Sequence, residues 1–286
     1  MPASLVASAH AGLERSCGDW VRSRGPFSGV ELLQAWFKER GFSPHRHDTY
    51  GIGVTDAGVQ TFEYRGAVER SLPGQVAVLH PDEKHDGRPG TADGFGYHIV
   101  YVAPELIARA LRDVVGRPTP LPFLREPVLA SEQLARAVSS AFESDLEPLA
   151  RDTLVVRLAE GLLRGDASLP KASVPCLDQR GLARARDCLD STSSVVRSSV
   201  LERVSGLSRY ALSRQFRALY GTSPYRYSLL RRLDFARERL RSDDQLADVA
   251  LAAGFADQAH FTRMFKAAYG MPPQRYRTLQ SCARWS

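Results

Sequence analysis

Cysteine is scarce in this chain: four residues in 286, at Cys17, Cys176, Cys188 and Cys282. They form no CxxC pair and no disulfide framework, which excludes a cysteine-stapled secreted scaffold. Long apolar runs are missing as well. No stretch approaches the roughly 20 uncharged residues of a membrane span, and Met1 to Ala11 lacks the basic cluster and apolar run of a secretory signal. These absences predict a cytoplasmic protein with no membrane partner. Catalytic spacing is equally thin. No Ser/His/Asp or Cys/His pattern and no phosphate-cradling glycine loop stands out, so no enzyme and no cofactor are expected.

What is present is ordinary globular composition, 43% hydrophobic and 24% charged, in a length that suggests roughly two domains. The charge is divided unevenly. Residues 1–175 carry 19 basic and 22 acidic side chains, a net of −3, whereas residues 176–286 carry 19 and 10, a net of +9. Only the back half is suited to a polyanion.

Residues 1–30 show no sustained period and read as a lead-in. From 31 to 116, strand-length runs such as "YGIGVTDAG", "VQTFEYRG", "QVAVLHPDEKHDG" and "FGYHIVYV" are cut by glycine turns, which predicts a barrel or sandwich. This stretch ends in a helix, "PELIARALRDVVG", with Leu106, Ala110 and Val114 as its expected apolar stripe. Residues 117–164 continue as a helical segment. There Leu149, Val156 and Leu163 recur every seven residues, a stripe that packs inward or pairs with a second copy in a homodimer. The polar stretch 165–175, with two prolines, is the expected linker.

The back half, 176–286, is helical and repeats itself. "LSRQFRALYGTSPYRY" lies over "FTRMFKAAYGMPPQRY" at an offset of 49, matching Arg214 with Arg263, Phe216 with Phe265, Tyr220 with Tyr269, Gly221 with Gly270 and Tyr227 with Tyr276. Each copy reads as a short helix, a tight turn at Gly206 or Gly254, and a longer helix capped by Ser208 or Asp257. That is a helix-turn-helix, whose second helix can enter the DNA major groove. Arg209, Tyr210, Ser213, Arg214 and Arg217 fall on one outer face, and Gln258, His260, Arg263 and Lys266 on the other. Arginine pairs with guanine edges or phosphates, and glutamine with adenine. Between the copies, "PYRYSLLRRLDFARERLR" predicts a spacer helix striped by Tyr225, Leu229, Leu233, Ala236 and Leu240.

The run Arg231 to Arg277 is similar to the signature of the AraC/XylS family of bacterial transcription regulators. Its telling pieces are the Ala-Gly-Phe-x-Asp turn, the Phe-Thr-Arg-x-Phe-Lys run and Gly-x-x-Pro-x-x-Tyr-Arg. The resemblance implies an α+β chain: a cupin-like β-barrel with a helical segment, then an all-α domain with two helix-turn-helix modules. It implies promoter DNA and RNA polymerase as partners, most often for activation, with a small-molecule effector in the barrel. By position, DNA contacts fall on Ser208, Arg209, Tyr210, Ser213 and Arg214, then Gln258, Ala259, His260 and Arg263. Glu202 departs from the family, which has a small packing residue there.

The front half resembles the two cupin motifs. His45 and His47 share one face of a strand, and His85 stands in the distal position, but Gly51 and Ile52 occupy the carboxylate's place. Three readings remain open: a three-histidine metal site, hydrogen bonds across the barrel mouth, or a pocket lined by His45, His47, His80, His85 and Tyr97, with Asp82, Glu83 and Tyr101 nearby. The expected outcome is an effector pocket with no metal. A metal-dependent cupin enzyme fused to a DNA module is the alternative.

Overall fold

The computed structural model describes residues 18–143, 146–166, 177–192 and 196–282. The predicted linker therefore lies almost wholly outside the described residues, as do Cys17, Cys176 and the side chains of Leu149 and Cys282.

Among the described residues there are ten strands, nine before the first helix and one after it: β1 Trp20–Arg24, β2 Val30–Phe37, β3 Phe42–His45, β4 Tyr50–Gly58, β5 Gln60–Tyr64, β6 Ala67–Ser71, β7 Val76–Leu79, β8 His85–Pro89, β9 Phe95–Val102 and β10 Val128–Leu129. They form two antiparallel sheets rather than one closed barrel, in the orders β1-β2-β9-β4-β7-β10 and β3-β8-β5-β6. Strand alternation sends each side chain to one of two cores. Phe37, Phe95 and Tyr97 of the larger sheet meet Phe62 and Tyr64 of the smaller one. Val30, Ile52, Val78 and Val100 face the other way, onto three helices. These are α1 Pro104–Val115, α2 Glu132–Ser140 and α3 Pro148–Gly165.

Three strands and one stripe differ from expectation. β1 lies in the stretch read as lead-in, β10 in the stretch read as helical, and β6 follows a turn with no strand assigned to it. All three are sheet edges; WVRSR and AVERS carry charges where a central strand carries apolar residues, and β10 is two residues long. Helix α1 starts at Pro104 and stops at Gly116 (φ 73°), as the sequence indicates. It buries Ile107, Ala110 and Leu111, leaving Val114 exposed, because the sheet meets a face rotated from the predicted one.

Seven further helices follow: α4 Gln179–Asp190, α5 Ser198–Ser205, α6 Arg209–Tyr220, α7 Pro224–Arg239, α8 Leu246–Ala252, α9 Gln258–Tyr269 and α10 Pro273–Cys282. The first module has its own core around Leu201, Leu212, Phe216 and Tyr227. The second does not stand apart. Leu233, Phe261, Phe265 and Tyr276 belong to the same apolar cluster as Leu33, Phe37 and Phe95 of the sheets.

Candidate DNA interface and ligand cavity

Each longer helix of the repeat is capped and half-buried in the way a reading helix must be. Ser208 Oγ accepts from Ala211 N–H at 3.4 Å, and Asp257 Oδ1 accepts from His260 N–H at 2.6 Å. Glu202 gives its departure a purpose: its carboxylate accepts from Arg209 N–H at 2.7 Å, satisfying a second open donor at the start of α6. Leu212 and Phe216 bury the inner face of α6, and Phe261 and Phe265 that of α9.

The outer faces point to solvent. Ser208, Arg209, Tyr210, Ser213 and Arg214 are exposed on one helix, and Gln258, Ala259 and Arg263 on the other. His260 is half-buried, edge-on to Phe255. Tyr210 is 75% exposed beneath the Arg209 guanidinium, so it packs into no core. Among the described residues Arg209, Arg214 and Arg263 pair with no carboxylate, which leaves their planar donor forks open.

The spacer helix α7 joins the modules over 16 residues, about 24 Å at 1.5 Å per residue. Its predicted stripe is only partly right. Leu233, Ala236 and Leu240 are buried, Leu229 is half-buried, and Tyr225 is 72% exposed; Arg232 and Arg237, outside that stripe, are buried as well. Arg232 donates from Nε to Ala253 O at 3.0 Å and from its terminal nitrogen to Gly254 O, which satisfies carbonyls at the end of α8.

Both modules also dock on the sheets through equivalent glycines. Gly221 and Gly270 end their reading helices in the left-handed conformation (φ 73° and 71°). A methyl group on Gly221 would meet Pro81 at 2.6 Å, and one on Gly270 would meet Phe42 at 2.7 Å. Ser43 N–H donates to Gly270 O at 2.7 Å. Ion pairs reinforce the junction: Arg237 to Glu31 at 2.7 Å, Arg231 to Asp48 at 3.1 Å, Arg226 to Asp82 at 3.1 Å and Arg275 to Asp19 at 2.8 Å.

Inside this junction lies a cavity of about 240 Å³. It opens between the sheets and the helices rather than within the sheet sandwich. Glu31, His45, His47, Asp48 and Tyr101 wall it on the sheet side. Tyr227, Arg231 and Arg237 come from the spacer, Tyr220 from the first module's reading helix, and Tyr269 and Tyr276 from the second module. Burial raises the Glu31 and Asp48 carboxyls above their usual range, against the pull of Arg237 and Arg231. Burial also works against the charge of both guanidinium groups, but Asp48 and Asp234 hold Arg231 charged and Glu31 holds Arg237 so.

Of the five predicted effector residues, only His45 and His47 line the cavity. His85 stands beside them, its ring 4.3 Å from His45 and 4.8 Å from His47. Tyr97 is buried in the core between the sheets. His80 is elsewhere: its Nε2 accepts from Leu124 N–H at 2.9 Å and its Nδ1 faces Tyr64 Oη at 2.8 Å. Sequence reasoning missed Glu31, Arg231, Asp234 and Arg237. It could have found the tyrosines, since Tyr220/Tyr269 and Tyr227/Tyr276 are matched pairs of the repeat.

Burial lowers the three clustered imidazoles: His45 to about 4, His47 to about 3 and His85 well below its ordinary value. Each Nδ1 donates to a backbone carbonyl, of Ser43, Thr49 and Glu83 respectively. A metal site does not fit here. A side chain at Gly51 would point toward His47 but there is none, Asp48 turns away to Arg231, and among the described residues no group of His, Cys, Asp or Glu is arranged to hold an ion.

One arrangement was invisible in the sequence. His98 Nδ1 lies 2.6 Å from Asp56 Oδ1 and its Nε2 3.0 Å from Ser139 Oγ. The order of groups is that of a hydrolytic relay, but neither this cavity nor the smaller one beside α6 and α7 reaches it. What it does here is tie α2 to β4 and β9.

Comparison with known proteins agrees with this geometry. A family model described as an AraC-like ligand binding domain matches residues 27–159, and a helix-turn-helix domain model matches residues 201–278. The HTH-type transcriptional regulator YbfI of Bacillus subtilis, described as uncharacterized, is 24% identical over 223 residues, covering 77% of this chain and 81% of that protein. ToxT from Vibrio cholerae has a similar fold, with a TM-score of 0.60 at 11% identity over 91% of this chain and 98% of that one. A ToxT structure with a bound unsaturated fatty acid aligns equally well, at a TM-score of 0.60 and 11% identity, over 91% of this chain and 94% of that one. Among the described residues no helix is long and apolar enough to cross a membrane. A ligand-binding front joined to a duplicated DNA-reading back places the chain in the AraC family of transcription regulators.

Proposed function

We propose that a small molecule in the cavity between sheets and helices sets how the two reading helices are presented to promoter DNA. One observation carries this reading: the cavity wall draws on both modules, the spacer and the sheets at once. A ligand that fits one arrangement of these walls better than another shifts the balance between them, and with it the affinity for DNA.

In this reading Arg209, Ser213 and Arg214 contact one major-groove segment, and Gln258, His260 and Arg263 the next. Ser208 and Tyr210 lie along the phosphates, and Ala259 touches a thymine methyl. The protein works in the cytoplasm by binding alone, as an activator that contacts RNA polymerase. It pairs with a second copy through the face of α3 that carries Val156, which is exposed.

The test is selection of duplexes by the full chain from a random pool, followed by affinity measurements across salt. The expected sites hold two half-sites roughly one helical turn, 10–10.5 bp, apart, with binding that weakens steeply as salt rises. Recovery of a pool no different from the input at low salt would overturn the reading.

A further inference from the structure

The cavity on which that reading rests presents its occupant with unmet acceptors, a carboxylate and two imidazoles, beside one buried unmet donor, Arg231 Nε. Its ionic wall is Glu31, Asp48, Glu105 and Asp234 against Arg231 and Arg237, two more carboxyls than guanidinium groups. Arg237 is engaged through both terminal nitrogens and Arg231 through one, its Nε being buried with no partner among the described residues. Arg237 holds Glu31 at 2.7 Å, and Arg231 holds Asp48 and Asp234 at 3.1 Å each. Glu105 has no ion-pair partner among the described residues.

The histidines add acceptors of a second kind. His45 Nδ1 lies 2.9 Å from Ser43 O, and His47 Nδ1 lies 2.8 Å from Thr49 O. A carbonyl only accepts, so Nδ1 carries the proton and Nε2 of the neutral ring is a bare lone pair. His45 is 7% exposed with no partner at Nε2 among the described residues, and the Nε2 of His47 is buried and unpartnered. Buried acceptors left unmet raise the free energy of the empty site until a donor arrives. Tyrosine rings complete the wall, and aromatic faces attract cations: Arg231 lies 4.9 Å from the Tyr227 ring centre and Arg237 5.0 Å from that of Tyr269. The hydroxyl of Tyr269 is turned away from the ligand's needs too, donating to Asp234 at 2.6 Å.

We propose that the cavity takes an organic cation, an amine or guanidine on a small aromatic or aliphatic body, with Glu105 as its counter-ion and His45 and His47 as its acceptors. An anion meets the opposite situation. A carboxylate would join a wall with more carboxyls than guanidinium groups, and the one guanidinium with an unpartnered Nε, Arg231, already carries Asp48 and Asp234. The volume, about 240 Å³, keeps the ligand small, since drug-sized sites occupy roughly 300–1,000 Å³.

The test is calorimetric titration of the full chain with phenethylamine, 2-phenylethanol and phenylacetate, three probes of one shape and different charge, and with a long-chain unsaturated fatty acid. Phenethylamine is expected to bind at least tenfold more tightly than the alcohol, and phenylacetate more weakly than either. Glu105→Gln is expected to weaken the amine at least tenfold and leave the alcohol unchanged. Should that variant misfold, the ranking on the unaltered protein decides alone. Equal or tighter binding of phenylacetate or the fatty acid overturns the proposal, as does an amine affinity indifferent to Glu105→Gln or silence from every probe. The two readings fail differently: an anion that binds and still shifts DNA affinity removes the cation and keeps the effector cavity, whereas probes silent in both calorimetry and DNA binding remove both.

Discussion

Arg237 of the spacer helix and Glu31 of strand β2 face each other through two parallel hydrogen bonds of 2.7 and 2.8 Å. Their side chains are only 8% and 14% exposed, so the pair is sealed between the sheets and the DNA-reading half. Taking one partner away strands the other charge in a dry place. Glu31→Leu or Arg237→Met alone is therefore expected to cost about 3–5 kcal/mol in urea unfolding, and the double substitution much less than their sum. Strict additivity would mean that the two groups do not interact.

The buried histidines set an acid limit. An unfolded chain protonates each imidazole near its ordinary value of about 6.5, whereas folding lowers His45 to about 4 and His47 and His80 to about 3. Groups lowered by folding contribute stability that is complete above pH 6.5 and is lost as pH falls toward 4. Glu31, Asp48 and Glu105 act in the opposite sense, since burial raises them. The difference between the unaltered protein and His47→Gln isolates one imidazole. At pH 5 the variant should lose stability with falling pH more gently, by about 1.4 kcal/mol per pH unit. Parallel pH profiles would contradict the neutral buried ring.

Much of this was legible in the sequence because the signals were local. Ser208 and Asp257 cap the helices they were expected to cap, and Gly116 ends α1. The cavity was not legible, since its walls come from Glu31, Asp48, Tyr220, Arg231 and Tyr269, residues up to 238 positions apart by their own numbers. Arg237 reads as a solvated helix arginine until the chain's fold sets it opposite Glu31. Glu202 departs from the family's small residue without declaring its role, because a cap made from the preceding helix has no fixed spacing signature.

Arg263 lies on the exposed face of α9, with no acid to hold it among the described residues. If it reads a base edge, Arg263→Ala should weaken binding to the selected duplex by about 1–3 kcal/mol and leave binding to random duplex nearly unchanged. The repeat-matched Arg214→Ala should do the same at the other half-site. A uniform loss on both duplexes, with a salt slope shallower by about one, would move either side chain to the phosphates.

Gly221 and Gly270 separate two roles that a helix-ending glycine can have. An alanine at either is strained by its positive φ, at a cost of order 1–3 kcal/mol. Gly116, at φ 73°, would suffer the same strain, but a methyl group there meets nothing within 4 Å. At Gly221 the methyl meets Pro81 at 2.6 Å and Pro104 at 3.0 Å; at Gly270 it meets Phe42 at 2.7 Å and Ser43 O at 2.9 Å. Gly116→Ala is thus the control for strain alone. Gly221→Ala and Gly270→Ala should lose more stability than it does. Gly270→Ala should also speed amide exchange at Ser43, whose N–H now donates to Gly270 O at 2.7 Å. With the modules loosened from the sheets, DNA affinity should respond less to whatever fills the cavity. If both variants match Gly116→Ala in stability and exchange, the glycines only end helices, and the shared apolar cluster and the ion pairs hold the modules to the sheets.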